Sequence, residues 1–358
     1  MSSLSPTAGE TESIRQPTTG VLLIQLGTPH EPKPAAVRRF LREFLSDERV
    51  IDVAAPLRFF LVNGVIAPFR TPGSTKIYRT LWELGGGESP IRMHTRALTE
   101  QLNERFAEEP ITVHMAMRYQ GPSVEDVLEE MRAANYTKLV VLPLFPHYAS
   151  SSTGTALQRV MEVVSSWWAI PGLELINQFY EEGFYLDTLA EQAEKHDVGS
   201  FDHVVMSYHG LPEQHVDKVY PARDDLCAQH NCEEGVEAES ALCYKATCFE
   251  TSRLLAERLD LSASDYTVSF QSRLSDRWLT PFSDQVIEDL AKAGKKRLLV
   301  LSPAFVADCL ETLVEVGVEY QDLFVEHGGE KVQLVASCNT EPTWVDGLAS
   351  FLRKHRAR

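Results

Sequence analysis

The sequence predicts an α/β protein of two similar doubly wound domains, each built on a parallel sheet, with a cleft between them. Three observations carry that reading. Apolar runs such as Val21-Leu22-Leu23-Ile24 and Val204-Val205-Met206 lack polar alternation, as strands covered on both faces do. Amphipathic helical stretches alternate with these runs, and strands alternating with helices make parallel sheets. The second half then repeats the first. Residues 268–273 answer 113–118, each run ending in an Arg ahead of an acid-started helix. Residues 296–303 answer 138–143, 332–336 answer 173–179, and His209 stands where Gly27 stands. Two copies of one strand–helix unit imply two like domains.

Residues 1–17 are rich in Ser, Thr and Glu without an apolar run, so they read as a flexible tail and not as a signal peptide. The first domain is expected over 18–180. Its first strand, 21–26, closes at Gly27-Thr28-Pro29, and Val37, Phe40, Leu41, Phe44 and Leu45 mark a helix over 35–45. Residues 50–90 set Pro56, Pro68, Pro72 and Gly85-Gly86-Gly87 among dense apolar residues, including Phe59, Phe60, Phe69 and Trp82. This segment is either a core helix with a loop or a mobile apolar lip over a site for a large apolar ligand. Strand 112–119 precedes a helix starting near Ser123, with Glu125 and Asp126 where the helix dipole favours them. Strand 138–146 empties into the hydroxyl-rich Ser150-Ser151-Ser152-Thr153-Gly154, followed by a helix to about Trp168 and a strand over 173–179.

The second domain is expected over 181–340. Its strand 204–208 ends at His209-Gly210, where Gly210 accepts backbone angles other residues resist and Pro212 cannot continue the ladder. An imidazole thus sits at the carboxyl end of a buried strand, the edge where open α/β sheets bind ligands. A Cys-rich insert spans 213–248, and 341–358 form a last helix packed back on the first domain. The net charge, 34 − 51 = −17, excludes a nucleic-acid binder, because neutralising phosphates needs clustered Lys and Arg. It also repels an anionic membrane surface, leaving an apolar patch as the route to peripheral contact. No window approaches the roughly 20 apolar residues of a membrane span. The expected location is cytoplasmic, where the six cysteines are thiols or metal ligands rather than disulfides.

Matching strand ends across the repeat gathers 25–29, Arg118-Tyr119, 150–155 and His209 at the cleft, joined by the run after residue 302. There Asp308, Glu311, Thr312 and Glu315 have the i, i+3, i+4, i+7 spacing of one helical face. An imidazole opposite a carboxylate face suits metal handling or proton abstraction; a merely solvated face is the plain alternative. Arg118 either fixes a carboxylate through its planar fork or makes a structural ion pair. Neither glycine-rich nucleotide motif occurs. Cys227, Cys232, Cys243 and Cys248 are spaced Cys-x4-Cys-x10-Cys-x4-Cys in a polar stretch. Four such thiolates suggest iron–sulfur or zinc, whereas Cys309 and Cys338 read as core residues.

A series of segments resembles the ferrochelatases: Gln25-Leu26-Gly27-Thr28-Pro29, Met117-Arg118-Tyr119, Pro143-Leu144-Phe145-Pro146-His147-Tyr148 running on to Gly154, Ser207-Tyr208-His209-Gly210-Leu211-Pro212, Phe270-Gln271-Ser272-Arg273 with Trp278-Leu279-Thr280-Pro281, and Asp308-Cys309-Leu310-Glu311-Thr312-Leu313. The resemblance covers about 20–351. It implies two Rossmann-like domains and insertion of Fe²⁺, a substrate, into protoporphyrin IX to make haem. It carries His209 and Glu311 over as the catalytic and metal-site pair, and Arg118, Tyr119, Ser152, Thr153 and Trp278 as substrate contacts. Coproporphyrin III or another metal, or a tetrapyrrole- or metal-binding protein without catalysis, are the alternatives. Cys309 stands where some relatives have His, and the insert is longer than in the plain bacterial enzyme. Some members hold a [2Fe–2S] cluster through such an insert, which makes that cluster the first reading for Cys227, Cys232, Cys243 and Cys248, with zinc second. Cys248 also matches a Cys of clusterless relatives. Beyond porphyrin and ferrous iron, the implied partners are the inner-membrane surface, touched peripherally, or another haem-pathway enzyme.

Overall fold

The computed structural model describes residues 18–220, 232 and 234–357. Its first sheet holds β1 (Thr19–Gly27), β2 (Ile111–Tyr119), β3 (Lys138–Pro143) and β4 (Gly172–Leu175) in the order β2-β1-β3-β4, all parallel. The second holds β5 (His203–His209), β6 (Tyr266–Gln271), β7 (Arg297–Leu301) and β8 (Lys331–Leu334) in the order β6-β5-β7-β8, again parallel. Each second-half strand takes the place of its first-half counterpart, so the repeat read from the sequence is the repeat of the fold.

Strand side chains alternate between two cores. Val21, Leu23, Val140 and Leu142 of the first sheet share one buried cluster with Val204, Met206, Leu299 and Leu301 of the second. Between them lie α7 (Gly183–Glu194), α9 (Tyr244–Arg258) and α12 (Pro342–Ala357). The opposite faces have their own covers. Leu22, Ile24, Leu139 and Val141 pack under α5 (Val124–Ala133) and α6 (Thr155–Ser165). Val205, Leu298 and Val300 pack under α10 (Ser283–Lys292) and α11 (Gln321–Glu326). Burial on both faces is why these strands are apolar throughout.

The C-terminal helix crosses back to the first sheet. Trp344, fully buried, stacks among Phe179, Phe184 and Tyr185. Lys138 donates to the last carbonyls of α12, His355 O at 2.8 Å and Arg356 O at 3.1 Å, where a cation meets the negative end of the helix dipole.

Several expected elements change shape. α6 ends at Ser165 and β4 at Leu175, both shorter than the apolar pattern suggests. Ser150–Gly154 is a π-helical turn leading into α6. The 50–90 segment is not broken at its prolines. It is helical from α2 (Ala55–Phe60) through a π-helical stretch, Leu61–Ile66, into α3 (Ala67–Leu84). Pro68 and Pro72 lie inside this continuous run of helical turns, and each removes one main-chain donor from it. The segment divides into buried and exposed residues. Val62, Leu81 and Trp82 are buried, whereas Phe59 and Phe69 are 70% and 80% exposed beside exposed Leu57 and Phe60. Among the described residues, no helix is long and apolar enough to cross a membrane.

Candidate active site

His209 is the last residue of β5 and lies opposite Gln271 of β6. Gly210 turns the chain so tightly that a Cβ there would stand 2.8 Å from Gln271 O. The His209 Nδ1 lies 2.7 Å from Gly210 O. A carbonyl only accepts, so Nδ1 carries the proton and Nε2 keeps a lone pair. The imidazole sits between Trp278 and Phe305, with ring centroids 6.3 and 6.4 Å away. Trp278 is brought there by an antiparallel bridge to Pro212, with Leu279 N–H donating to Leu211 O at 2.9 Å.

Opposite His209 in the sheet, Gln271 reaches the acidic run. Its Nε2 donates to Glu311 O at 2.9 Å and to Glu315 Oε2 at 3.0 Å. Glu315 also accepts from Ser272 N–H at 2.8 Å, Ser272 Oγ at 2.5 Å and Tyr320 OH at 3.1 Å. Its carboxylate is an anchor, saturated by donors. Asp308 is one as well: buried, it accepts from Asn339 Nδ2 at 2.7 Å, Thr312 Oγ1 at 3.2 Å and Ser337 N–H at 3.2 Å.

The expected single carboxylate face therefore does not form. Asp308 precedes the helix, and Glu311–Tyr320 is π-helical, so α-helical spacing does not apply. Glu311, half-buried at the start of that helix, has its main-chain carbonyl bonded to Gln271 and its carboxylate beside the Cys309 thiol. Its surroundings are the Cys309 thiol, whose pKa is raised first by burial and then by Glu311, and the half-buried Tyr78 of α3, whose pKa is raised by burial and then by Glu311. Leu81 and Trp82 of α3 pack against Val314, so α3 lies directly on the helix that begins with Glu311.

The first-half residues gather around Asp47, which no motif marked. It accepts from Arg118 Nη2 at 2.7 Å, Tyr119 OH at 3.0 Å, Thr155 Oγ1 at 2.5 Å and Arg49 N–H at 2.8 Å. Burial alone would raise the Asp47 carboxyl. Hydrogen bonds from Thr155 and the Arg49 N–H, the Arg118 charge and the Tyr119 hydroxyl outweigh it and hold the pKa below the usual value. Arg118 thus makes a structural ion pair and also donates to Thr155 Oγ1 at 2.8 Å. Tyr119 is buried to 1% exposure against Phe44. On the π-turn, Arg49 Nη1 donates to Ser150 Oγ at 2.7 Å, Ser152 is half-buried, and Thr153 is buried with no hydrogen-bond partner for Oγ1 among the described residues.

Cys227 lies outside the described residues. Cys232, Cys243 and Cys248 are all buried and belong to the shared core, with the described part of the insert packed on it. Cys248 sits on α9, where burial first, and Cys243 close by, push its thiol pKa well above the ordinary value. Among the described residues no group of three or more His, Cys, Asp and Glu side chains could hold a metal. These thiols alone do not make a metal site. Cys309 and Cys338 are core residues, as their apolar context suggested.

Fold and site together define an α/β protein of two tandem parallel-sheet units, with its polar groups concentrated at the carboxyl ends of the central strands. SirB from Bacillus subtilis, solved with Fe³⁺, shares that frame: TM-score 0.54 over 95% of this chain and 96% of its own, at 11% identity. The ferrochelatase family profile matches residues 18–356. The ferrochelatase of Coxiella burnetii (strain Dugway 5J108-111) is 40% identical over 338 residues, 94% of this chain and 93% of its own. That of Legionella pneumophila (strain Lens) is 37% identical over 336 residues, 94% and 98% of the two chains. The chain belongs to the ferrochelatase family.

Asp47 offers a direct check of the first-half cluster. Asp47→Asn should lower unfolding free energy on the order of 3 kcal/mol, the scale of breaking one buried ion pair. Because the folded pKa is depressed, the carboxylate's contribution is fully present above the unfolded value of about 4 and is lost as pH falls through the folded one. Urea unfolding from pH 7 downward should show a constant gap between wild type and variant that narrows only below about pH 4. A gap that is absent at pH 7 contradicts the role given to Asp47.

Proposed function

We propose that this ferrochelatase inserts Fe²⁺ into protoporphyrin IX, with His209 accepting a pyrrole proton and Glu311 serving the incoming iron or the departing proton. The reaction replaces two N–H bonds by bonds from nitrogen to iron, releases two protons and leaves the iron ferrous. Its barrier lies in exposing the nitrogen lone pairs and moving those protons. The observation that carries the reading is the His209 Nδ1 contact with Gly210 O: it fixes the tautomer whose Nε2 can accept. Trp278 and Phe305 beside the imidazole suit a flat aromatic substrate. Glu315, held by Gln271, Ser272 and Tyr320, keeps the Glu311 helix in place. Of the other expected substrate contacts, Trp278 and Ser152 keep that role in this reading, and Arg118, Tyr119 and Thr153 build the wall behind it.

The apolar lip, with Leu57, Phe59, Phe60 and Phe69 exposed, suits protoporphyrin IX, whose rim is more apolar than that of the more carboxylated coproporphyrin III. The same exposed surface would carry peripheral contact with the cytoplasmic side of the inner membrane or with a haem-pathway partner. A [2Fe–2S] cluster on Cys227, Cys232, Cys243 and Cys248, or zinc in its place, is proposed from the Cys-x4-Cys-x10-Cys-x4-Cys spacing of these residues in a polar stretch.

Three measurements test these statements. Anaerobic assays with Fe²⁺ and each porphyrin should show turnover with protoporphyrin IX. His209→Ala and Glu311→Gln should lose about 10²–10⁴-fold in rate, with near-normal turnover of His209→Ala fatal to the assignment. Phe59→Ser with Phe60→Ser should weaken porphyrin affinity and liposome binding at unchanged melting temperature; if neither moves, the lip has no docking role. Protein purified without air should carry about two irons and two sulfides per chain, beyond substrate iron, and bleach on reduction. Bound zinc in a colourless protein would replace the cluster, and freely alkylated thiols with neither metal would remove the site.

A further inference from the structure

We propose that Tyr244 is a positioning residue for the His209 base, acting through the backbone of the turn that carries it; the proposal rests on His209 being the proton acceptor. The Tyr244 hydroxyl donates to His209 O at 2.9 Å. At the other end of the same peptide, Gly210 N–H donates to Gln271 O at 2.8 Å. The 209–210 peptide plane is therefore gripped on both sides. The next carbonyl, Gly210 O, is the acceptor that fixes the His209 tautomer. Only the two soft dihedrals of Gly210 separate that carbonyl from the gripped plane, and glycine by itself resists little. Loosening the plane lets Gly210 O drift from Nδ1. The imidazole can then carry its proton on Nε2, in a form that cannot accept another there.

Tyr244 is held to this task. It is the first residue of α9 and is 6% exposed. Its ring meets His147 at a centroid distance of 5.9 Å. His147 in turn packs on Tyr180 and Tyr208, at 6.0 and 5.3 Å, and its Nε2 lies 2.9 Å from Thr251 Oγ1. One helical turn along α9, the Cys248 thiol meets the same hydroxyl. The hydrogen bond from Tyr244 reaches His209 at its main-chain carbonyl. The influence of Tyr244 passes through the main chain.

The test compares Tyr244→Phe with Tyr208→Phe. Tyr208 is a fully buried tyrosine whose hydroxyl meets Ser252 Oγ at 2.8 Å rather than the 209–210 peptide. Tyr244→Phe should lower kcat about tenfold, the scale of one hydrogen bond that orients a reacting group, with KM for porphyrin within about twofold. ¹⁵N spectra of the imidazoles, with His209 assigned by difference from His209→Ala, should show His209 moving toward the Nε2–H tautomer. Tyr208→Phe should keep the wild-type kcat and tautomer, and p-aminophenylalanine in place of Tyr244 should restore both. Should Tyr244→Phe fail to fold, Tyr244→Met takes its place with the same readouts. Wild-type kcat and tautomer in the Tyr244 variant, with His209→Ala inactive, overturn the proposal alone. An equal kcat loss in Tyr208→Phe also overturns it, because the effect would then be general loosening. Normal turnover by His209→Ala overturns the reading beneath it.

Discussion

Gln271 is the group through which the two parts of the site hold each other. It is 1% exposed, yet each of its polar side-chain atoms is engaged. Its carbonyl Oε1 accepts from Ser207 Oγ at 2.8 Å, and its Nε2 donates to Glu311 O and Glu315 Oε2. Its main-chain carbonyl accepts from Gly210 N–H. One amide thus joins the strand that ends in His209 to the helix that begins with Glu311. A buried network with every member satisfied is rigid, and the same network with one member missing is costly. Catalytic groups on different elements keep their relation only when such a link is complete.

The first half has a corresponding centre in Asp47, which binds the end of β2 to the start of α6. The two centres differ in what they hold. Asp47 takes up the polar reach of Arg118 and Tyr119, so that side becomes a stiff wall. Gln271 takes up the Glu315 carboxylate and the main-chain carbonyl of Glu311, joining the strand that ends in His209 to that helix. One strand order used twice has given two different polar centres.

The wide turns of the backbone fall in the same neighbourhood. The π-helical stretches Leu61–Ile66, Ser150–Gly154 and Glu311–Tyr320 belong to the lip, the Asp47 corner and the acidic helix. Such turns are poorer helices and are found mostly where function re-aims a side chain. Here the last of them begins at Glu311, after Asp308, so carboxylates whose spacing in sequence suggests equivalents stand on different kinds of backbone.

The frame was legible in the residues, because a strand buried on both faces has to be apolar throughout and the repeat shows where its counterpart lies. The placement of His209 followed from the same logic: a strand must stop at Gly210 and Pro212, and strands of a parallel sheet stop at one edge. What distinguishes Glu311 from Glu315 and Asp308 was not legible. All three are carboxylates on one run, and only their partners from β6, Ser337 and Asn339 give Glu315 and Asp308 surroundings that the Glu311 carboxylate does not share. Asp47 and Tyr244 were silent for the same reason. Each lies in an ordinary polar context along the chain and acquires meaning from residues up to about a hundred positions away, as with Thr155 to Asp47. Pattern along a chain records which faces are buried; which hydrogen bond a buried polar group makes depends on distances that exist only once the chain has folded.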